Sequence, residues 1–140
     1  MNIKTVEKFK ACFTEMNLGD NTAFNEIYLD DVIFIDPIHK IKGIENLKAY
    51  FSKLDSNLIE GSFDFTDESV IDNTAYLQWE MSLKLKRPNK NVKASGISVL
   101  TIGEQKITKQ RDYFDAGELF YEHVPVLGGI IRFLKKKIGG

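Results

Sequence analysis

Cysteine, tryptophan, histidine and proline are all scarce in this chain, and their scarcity narrows the chemistry it can perform. The 140 residues include one cysteine, one tryptophan, two histidines and three prolines. The single cysteine, Cys12, cannot form an internal disulfide, and its place among apolar residues at helical spacing is typical of a core side chain. No histidines or cysteines stand at ligand spacing, and no Gly-rich phosphate loop is followed by the required lysine. The sequence therefore predicts no metal and no cofactor.

Strong charge, long apolar runs and a leader pattern are also missing. The net charge is −1, which argues against nucleic acid as a partner. No apolar run approaches the ~20 residues that span a bilayer, and the N-terminal MNIKTVEKFK shows no signal-peptide pattern. We therefore expect one globular domain in the cytoplasm.

The first half of the chain has mainly helical periodicity. Apolar residues at a spacing near 3.6 predict an amphipathic helix over residues 3–17 and a third helix after Gly43. Between them, Phe24, Ile27 and Tyr28 mark a short second helix, and VIFID (32–36) is a strand that Pro37 ends.

The second half alternates with period two. Residues 59–71, 74–87, 92–102 and 105–114 are rich in β-branched and aromatic residues, and the gaps at 72–73 and 103–104 have the length of hairpin turns. The sequence thus predicts an α+β domain in which three N-terminal helices pack on a curved antiparallel sheet.

Ideal two-residue turns determine which side chains share a face of this sheet. The face that mixes aromatic, acidic and amide side chains holds Phe63, Phe65, Gln78, Glu80, Ser82, Ile97, Val99, Gln110 and Asp112. The opposite, apolar face holds Leu77, Trp79, Met81, Leu100, Ile102, Ile107 and Tyr113. The mixed face fits either a ligand cavity or a solvent-facing surface, and a β-bulge would exchange part of the two sets.

Two motifs, FIDPIHKIKG before the third helix and ITKQRDYFD in the last strand, resemble the cone-shaped nuclear transport factor 2-like domains. The ketosteroid isomerases and SnoaL-like polyketide cyclases share that fold, and the RDYFD stretch is most similar to the limonene-type epoxide hydrolases. The resemblance implies a cone domain over residues 1–120, with 121–140 as an extension of the same domain. It also implies that Asp112 is the base and Glu80 the acid, while Gln78 stands where that family has a bridging arginine. Phe34 and Asp36 stand where it has the tyrosine and asparagine that hold water.

These residues predict a cofactor-independent acid–base enzyme of hydrolase, isomerase or cyclase type that acts on a small, mostly apolar molecule. The expected catalytic residues are Asp112, Glu80 and Asp36, and the first two are expected to share a proton because like charges disfavour double ionisation. The expected substrate-binding residues are Phe34, His39, Phe63, Phe65, Gln78 and Gln110. The alternative is a non-catalytic ligand-binding or dimerisation module of the same fold.

The C-terminal tail and the open sheet face predict further contacts. Leu127, Ile130, Ile131, Leu134 and Ile138 form a stripe in a predicted amphipathic helix with four basic residues. This helix docks on the body of the protein or on a second subunit, or else it touches a membrane surface weakly or closes the pocket. Apolar side chains outside the pocket, such as Trp79 and Tyr113, predict a homodimer through the open face of the sheet.

Overall fold

A six-stranded mixed sheet forms the body of the protein. The computed structural model describes residues 2–14, 22–87, 89–115, 133–134 and 136–139. Among the described residues up to position 115, the helices are α1 (Asn2–Thr14), α2 (Thr22–Ile27) and α3 (Ile44–Ser56). The strands are β1 (Tyr28–Ile35), β2 (Lys40–Lys42), β3 (Leu58–Ile71), β4 (Thr74–Leu85), β5 (Lys90–Gly103) and β6 (Lys106–Phe114), in the sheet order β2-β1-β6-β5-β4-β3. The α+β class predicted from the sequence is confirmed.

The strand β1 is longer than predicted and joins the sheet in an unexpected way. Tyr28, predicted to end a helix, is the first residue of the strand, and β1 lies parallel to β6. A short strand, β2, returns antiparallel along β1 and was not predicted. Its three residues are too few to show a period-two pattern. The chain then enters α3 through Gly43, whose φ of 87° favours glycine and whose N–H donates to the Val32 carbonyl.

The three helices cover one face of the sheet, which we call the concave face. Its buried core combines helix residues with inward strand residues, including Val6, Phe9, Phe13, Phe24, Leu47, Phe51, Leu77, Trp79, Leu100 and Ile107. Trp79 is only 1% exposed and packs edge-on against Phe63 with a centroid distance of 4.9 Å. The expectation that Trp79 needs cover from a second subunit is therefore wrong. Its large ring is accommodated by Gly96 on the neighbouring strand, where a Cβ atom would lie 2.5 Å from the indole.

The β3–β4 pairing departs from an ideal hairpin after a few residues. Next to the turn, Asp67 lies opposite Gln78, as the two-residue turn predicts. A bulge between Phe65 and Asp67 then shifts the register by one, so that Phe65 lies opposite Trp79. Because a one-residue shift exchanges the faces of a strand, Phe63 and Phe65 join Trp79 on the concave face rather than Gln78 and Glu80.

The β5–β6 pairing also departs from the hairpin with a two-residue turn that the sequence predicts. The turn is formed by Glu104 and Gln105, which both have positive φ, rather than by residues 103–104. This shift, together with a bulge near Thr101, places Ser98 opposite Asp112 and Ile97 opposite Tyr113. Asp112 therefore lies on the concave face with Trp79, and the placing of Tyr113 on that face is wrong.

The C-terminal predictions fall mainly outside the described residues. Phe133, Leu134 and residues 136–139 are helical and exposed. The amphipathic helix as a whole, its membrane contact and the division at residue 120 stay predictions. Among the described helices, none is long and apolar enough to cross a membrane.

Candidate active site

A buried polar cluster interrupts the apolar concave face near the ends of β1 and β6. Its centre is Asp112, a half-buried residue on the concave side of β6. Burial strips water from the carboxylate and is the main cause that raises the pKa of Asp112 from its usual 3.8 to about 6. Hydrogen bonds from Gln110 and Ser98 act in the opposite direction, and the negative charge of Asp36 raises the pKa further. Asp112 can thus exchange its proton close to neutral pH.

Four buried side chains surround the Asp112 carboxylate with directed hydrogen bonds. Gln110 Nε2 donates to Asp112 Oδ1 at 3.0 Å, and Tyr28 Oη donates to Gln110 Oε1 at 2.6 Å. On the other side, Trp79 Nε1 donates to Ser98 Oγ at 2.9 Å, and Ser98 lies directly opposite Asp112, where its hydroxyl lowers the pKa of the carboxylate. All four partners are at most 2% exposed, so water has little access to these bonds.

A second carboxylate, Asp36, lies where the chain leaves β1. Its Oδ1 accepts the backbone N–H groups of Ile38 at 2.8 Å and His39 at 2.6 Å, which is the turn expected around Pro37. His39 Nδ1 lies 3.2 Å from the same oxygen. Because an ionised carboxylate only accepts, the arrangement favours the tautomer with hydrogen on Nδ1 and leaves Nε2 as an acceptor.

Tyr50 of α3 links the two carboxylates electrostatically. Its hydroxyl donates to Asp36 Oδ2 over a long 3.4 Å. Burial, and then the charges of Asp36 and Asp112, raise the pKa of Tyr50 far above its usual 10. The phenol therefore stays neutral at any physiological pH and remains a hydrogen-bond donor beside a base.

Aromatic rings form the surroundings of this cluster. Phe34 and His39 flank Tyr50, at ring-centroid distances of 5.7 Å and 4.8 Å. On the sheet, Trp79 contacts Phe63 and, at 6.3 Å, Phe114. Apolar walls with a few placed polar groups are typical of sites for small, mostly apolar ligands.

The structure brings together most of the residues that the sequence singled out. Asp112, Asp36, Phe34, His39 and Gln110 lie around the cluster, and Phe63 and Phe65 lie on the same concave face. Gln78 and Glu80 do not belong to it.

Glu80 lies on the outer face of β4, opposite Asp64 and Ser95, and it is exposed, as is Gln78. The prediction that Glu80 and Asp112 share a face is wrong because the displaced turn and the bulge in the β5–β6 pairing moved Asp112 to the other face. The carboxylates that do approach each other are Asp36 and Asp112. The inward residues of β4 are all apolar, namely Ala75, Leu77, Trp79, Met81 and Leu83.

Sequence reasoning missed Tyr28, Tyr50 and Ser98. Tyr50 stands three residues after Leu47, so the helical pattern already placed it on the inward side of α3. Tyr28 was assigned to a helix, and Ser98 lay one residue from positions placed on the mixed face. Neither residue carried a separate signal in the sequence.

A second surface depression, of about 500 Å³, lies at the other ends of the same strands. It is lined by Leu29, Asp30, Asp31, Gly103, Glu104, Lys106 and Thr108. Across the part of the chain that the structure describes, no group of histidine, cysteine or acidic residues could hold a metal ion. The buried cluster around Asp112 is therefore the better candidate for chemistry.

Solved structures with this fold come from several bacteria. A candidate SnoaL-like polyketide cyclase from Jannaschia sp. CCS1 superposes with a TM-score of 0.71 at 15% identity, over 81% of this chain and 86% of that one. An epoxide hydrolase of the limonene type from M. tuberculosis superposes with a TM-score of 0.71 at 16% identity, over 99% of this chain and 96% of that one. A protein with a ketosteroid isomerase-like fold from Catenulispora acidiphila, solved with trimethylamine, gives 0.71 at 15% identity, over 82% and 88% of the two chains. At such identities the likeness shows the fold alone.

Sequence comparison identifies a family for this chain but no functionally curated relative. No functionally curated protein matches the chain significantly. The profile of the SnoaL-like domain family matches residues 6–110, three quarters of the chain, and its match ends at Gln110, two residues before Asp112. The resemblance drawn from the two motifs is thus confirmed, and the chain belongs to the SnoaL-like domain family.

Proposed function

We propose that the protein is a cofactor-independent acid–base enzyme that moves a proton on a small, mostly apolar substrate, with Asp112 as the base. The observation that carries the proposal is the desolvated Asp112 carboxylate, whose pKa near 6 suits a general base at neutral pH. The neutral Tyr50 hydroxyl, near both carboxylates, supplies a hydrogen-bond donor for negative charge that develops on the substrate.

The arrangement favours isomerase- or cyclase-type chemistry over epoxide hydrolysis. The resemblance to the epoxide hydrolases implies that β4 carries an acid and an arginine that point towards the base. The inward side of β4 is instead wholly apolar. In the proposed step, Asp112 removes a proton from a carbon next to a carbonyl, the C–H electron pair forms a C=C bond, and the π pair of the carbonyl moves onto its oxygen. Tyr50 exchanges its long hydrogen bond to Asp36 for one to that oxygen, and the proton on Asp112 returns to a carbon atom to complete the turnover.

Asp36 has a supporting role in this proposal. Its Oδ1 already accepts two backbone N–H groups, and His39 lies beside it, so Asp36 is largely occupied in holding the turn and the imidazole. Its negative charge nevertheless keeps Asp112 more basic than burial alone would. Phe34 and His39 then line the substrate side of Tyr50.

Hydrogen–deuterium exchange tests the proposal without knowledge of the natural substrate. Cyclic ketones such as cyclohexanone and 1-indanone are incubated with the protein in D₂O, and loss of their α-proton signals is followed by NMR. The wild type should accelerate exchange, and Asp112→Asn should lose the acceleration by about 10²–10⁴-fold. Glu80→Gln is the matched control, because this acid lies exposed on the opposite face and should leave the rate unchanged.

Other outcomes would change the assignment. Equal exchange rates for the wild type and Asp112→Asn would contradict a carbon-acid reaction with these ketones. Hydrolysis of limonene oxide that depends on Asp112 would move the protein to the hydrolase class. Tight ligand binding with no turnover of either probe would favour the non-catalytic binding module, for which the half-buried rings of Phe63 and Phe114 offer contact area.

We also propose a homodimer through the outer face of the sheet. Tyr76 and Tyr113 are 39% and 48% exposed there, and Arg111 lies over the Tyr113 ring at 5.0 Å. Ile97 lies directly opposite Tyr113 on the same face. Sedimentation at micromolar concentration should give a dimer, and Tyr113→Glu should give a monomer. A monomeric wild type would refute this part of the proposal.

A further inference from the structure

Two chains of hydrogen bonds converge on the Asp112 carboxylate from opposite sides. The first runs from the Tyr28 hydroxyl through the Gln110 amide, at 2.6 Å and then 3.0 Å. The second runs from the Trp79 indole to Ser98 Oγ at 2.9 Å, and Ser98 lies directly opposite Asp112 on the neighbouring strand, where it lowers the pKa of the carboxylate. They start on different strands, β1 and β4, and reach Asp112 through side chains on β6 and β5.

Each chain can run in only one direction. An indole N–H only donates, so Ser98 Oγ accepts from Trp79 and keeps its own hydrogen for the carboxylate. Burial raises the pKa of Tyr28 well above its usual 10, so its phenol stays protonated and donates to Gln110 Oε1. The amide of Gln110 is thereby oriented with Nε2 towards Asp112.

We propose that Tyr28 and Trp79, acting through Gln110 and Ser98, are positioning residues that hold the Asp112 carboxylate in one orientation as a hydrogen-bond acceptor. The inference deepens the proposed function, on which it rests, because it assigns the residues that prepare the base. It also reassigns Gln110, predicted from the sequence to bind substrate: both ends of its amide are engaged by protein, and it is 2% exposed.

Several other charged or titratable groups face Asp112 and must be counted in any test by pH. Asp36 at the end of β1 and Tyr50 of α3 both interact with it electrostatically, and Tyr28 does so from the start of β1. Cys12 of α1 lies close enough to interact with Tyr28. His39 contacts Asp36 and Tyr50 and is therefore linked to Asp112 through these two residues. The two donor chains are therefore tested best by removing hydroxyl groups, which leaves all these charges in place.

The wild-type protein provides the first test. Trp79 is the only tryptophan, so its indole N–H gives a single resolved signal in a ¹⁵N–¹H spectrum. We expect this signal to be protected from solvent exchange and to shift with the same midpoint as the Asp112 carboxyl carbon. An indole signal that stays flat while Asp112 titrates would overturn the Trp79–Ser98 chain.

Variants test the two chains separately. Ser98→Ala removes a donor to the carboxylate, so the Asp112 midpoint should rise by about one pH unit, and Ser98→Thr should restore it to within about 0.3 unit. Tyr28→Phe frees the Gln110 amide and should raise the midpoint by about half a unit. The matched controls are Ser95→Ala and Tyr76→Phe, which remove the same hydroxyl groups from exposed positions on β5 and β4.

The titration separates this inference from the proposed function. If Ser98→Ala and Tyr28→Phe leave the midpoint where their controls leave it, the positioning roles are refuted, whatever the activity. If the midpoints move as expected but no ketone or epoxide turnover is found, the positioning roles stand and the enzyme assignment fails. Should Ser98→Ala fail to fold, the wild-type indole titration decides the Trp79–Ser98 chain, and should Tyr28→Phe fail to fold, Gln110→Glu, which removes the amide donor to Asp112, decides the other chain by raising the Asp112 midpoint or leaving it unchanged.

Discussion

Replacing Asp112 with asparagine should make the protein more stable at neutral pH, although it removes the proposed base. The folded protein raises the pKa of Asp112 from 3.8 to about 6, so the folded state holds this proton more tightly than the unfolded state does. Below pH 3.8 both states are protonated and Asp112 carries no pH-dependent cost. As pH rises from 3.8 to 6, the unfolded state loses the proton first and stability falls, and above pH 6 the loss is constant.

The size of this loss follows from the shift. The pKa of Asp112 rises by roughly two units, which lowers the free energy of unfolding by about 3 kcal/mol at pH 8. Most of this loss develops above pH 4. Asparagine has the same shape, its Oδ1 can accept from Gln110 Nε2 as the carboxylate does, and it never ionises. The difference in unfolding free energy between variant and wild type should therefore grow by roughly 2–3 kcal/mol from pH 4 to pH 8. For a domain of this size that is about 8 °C in melting temperature.

Urea unfolding followed by circular dichroism at pH 4, 5, 6, 7 and 8 measures this difference directly. Glu80→Gln should show no growing difference, since its side chain lies exposed on the outer face. Parallel stability curves for the wild type and Asp112→Asn across this range would show that the carboxylate is solvated. In that case both the buried-base argument and the proposed chemistry would be wrong.

Three further changes should behave as follows. Gly96→Ala places a Cβ atom 2.5 Å from the Trp79 ring and should destabilise the fold by about 1–3 kcal/mol in urea unfolding; a change below ~0.5 kcal/mol would mean that the ring can move aside. Tyr50→Phe should reduce ketone exchange by about 10²–10³-fold with little loss of stability, and full activity would remove Tyr50 as the donor. Phe51→Ala, which removes a buried ring that touches four aromatic neighbours, should cost about 3–5 kcal/mol by urea unfolding, whereas Ile3→Ala at an exposed position should cost little.

The elements of this fold were largely readable from the sequence because their signals are local. The apolar spacing of α1 and α3 and the alternation of β4 reflect contacts within a few residues. The strand β2 has three residues, and the pairing of β1 with β6 joins segments more than 70 positions apart. Neither leaves a periodic trace, so the sheet appeared as a meander instead of the mixed sheet that forms.

The residues of the site depend on which face of the sheet each side chain occupies, and the faces predicted from the sequence were partly wrong. The alternation of β4 correctly separated Trp79 from Glu80, but the faces of β3 and β6 were assigned from ideal turns. A bulge between Phe65 and Asp67 shifted β3 by one position, and the displaced turn at Glu104 together with the bulge near Thr101 shifted β6 by an odd number of positions. Both errors moved side chains to the opposite face, and the second one paired Asp112 with the wrong acid. The position of a bulge depends on how the whole sheet curves over its helices, and no single residue in β3 predicts it.

The parallel pairing of β1 with β6 has a consequence for synthesis of the chain. The ribosome synthesises β6, which carries Gln110 and Asp112, after the other residues of the cluster. These earlier residues are Asp36, Tyr50, Trp79 and Ser98. Only when β6 inserts between β1 and β5 do the two halves of the sheet become continuous. A ribosome-bound chain that lacks this strand therefore has neither a continuous sheet nor the proposed base, and Asp112 enters the protein with the strand that joins the two halves of the sheet.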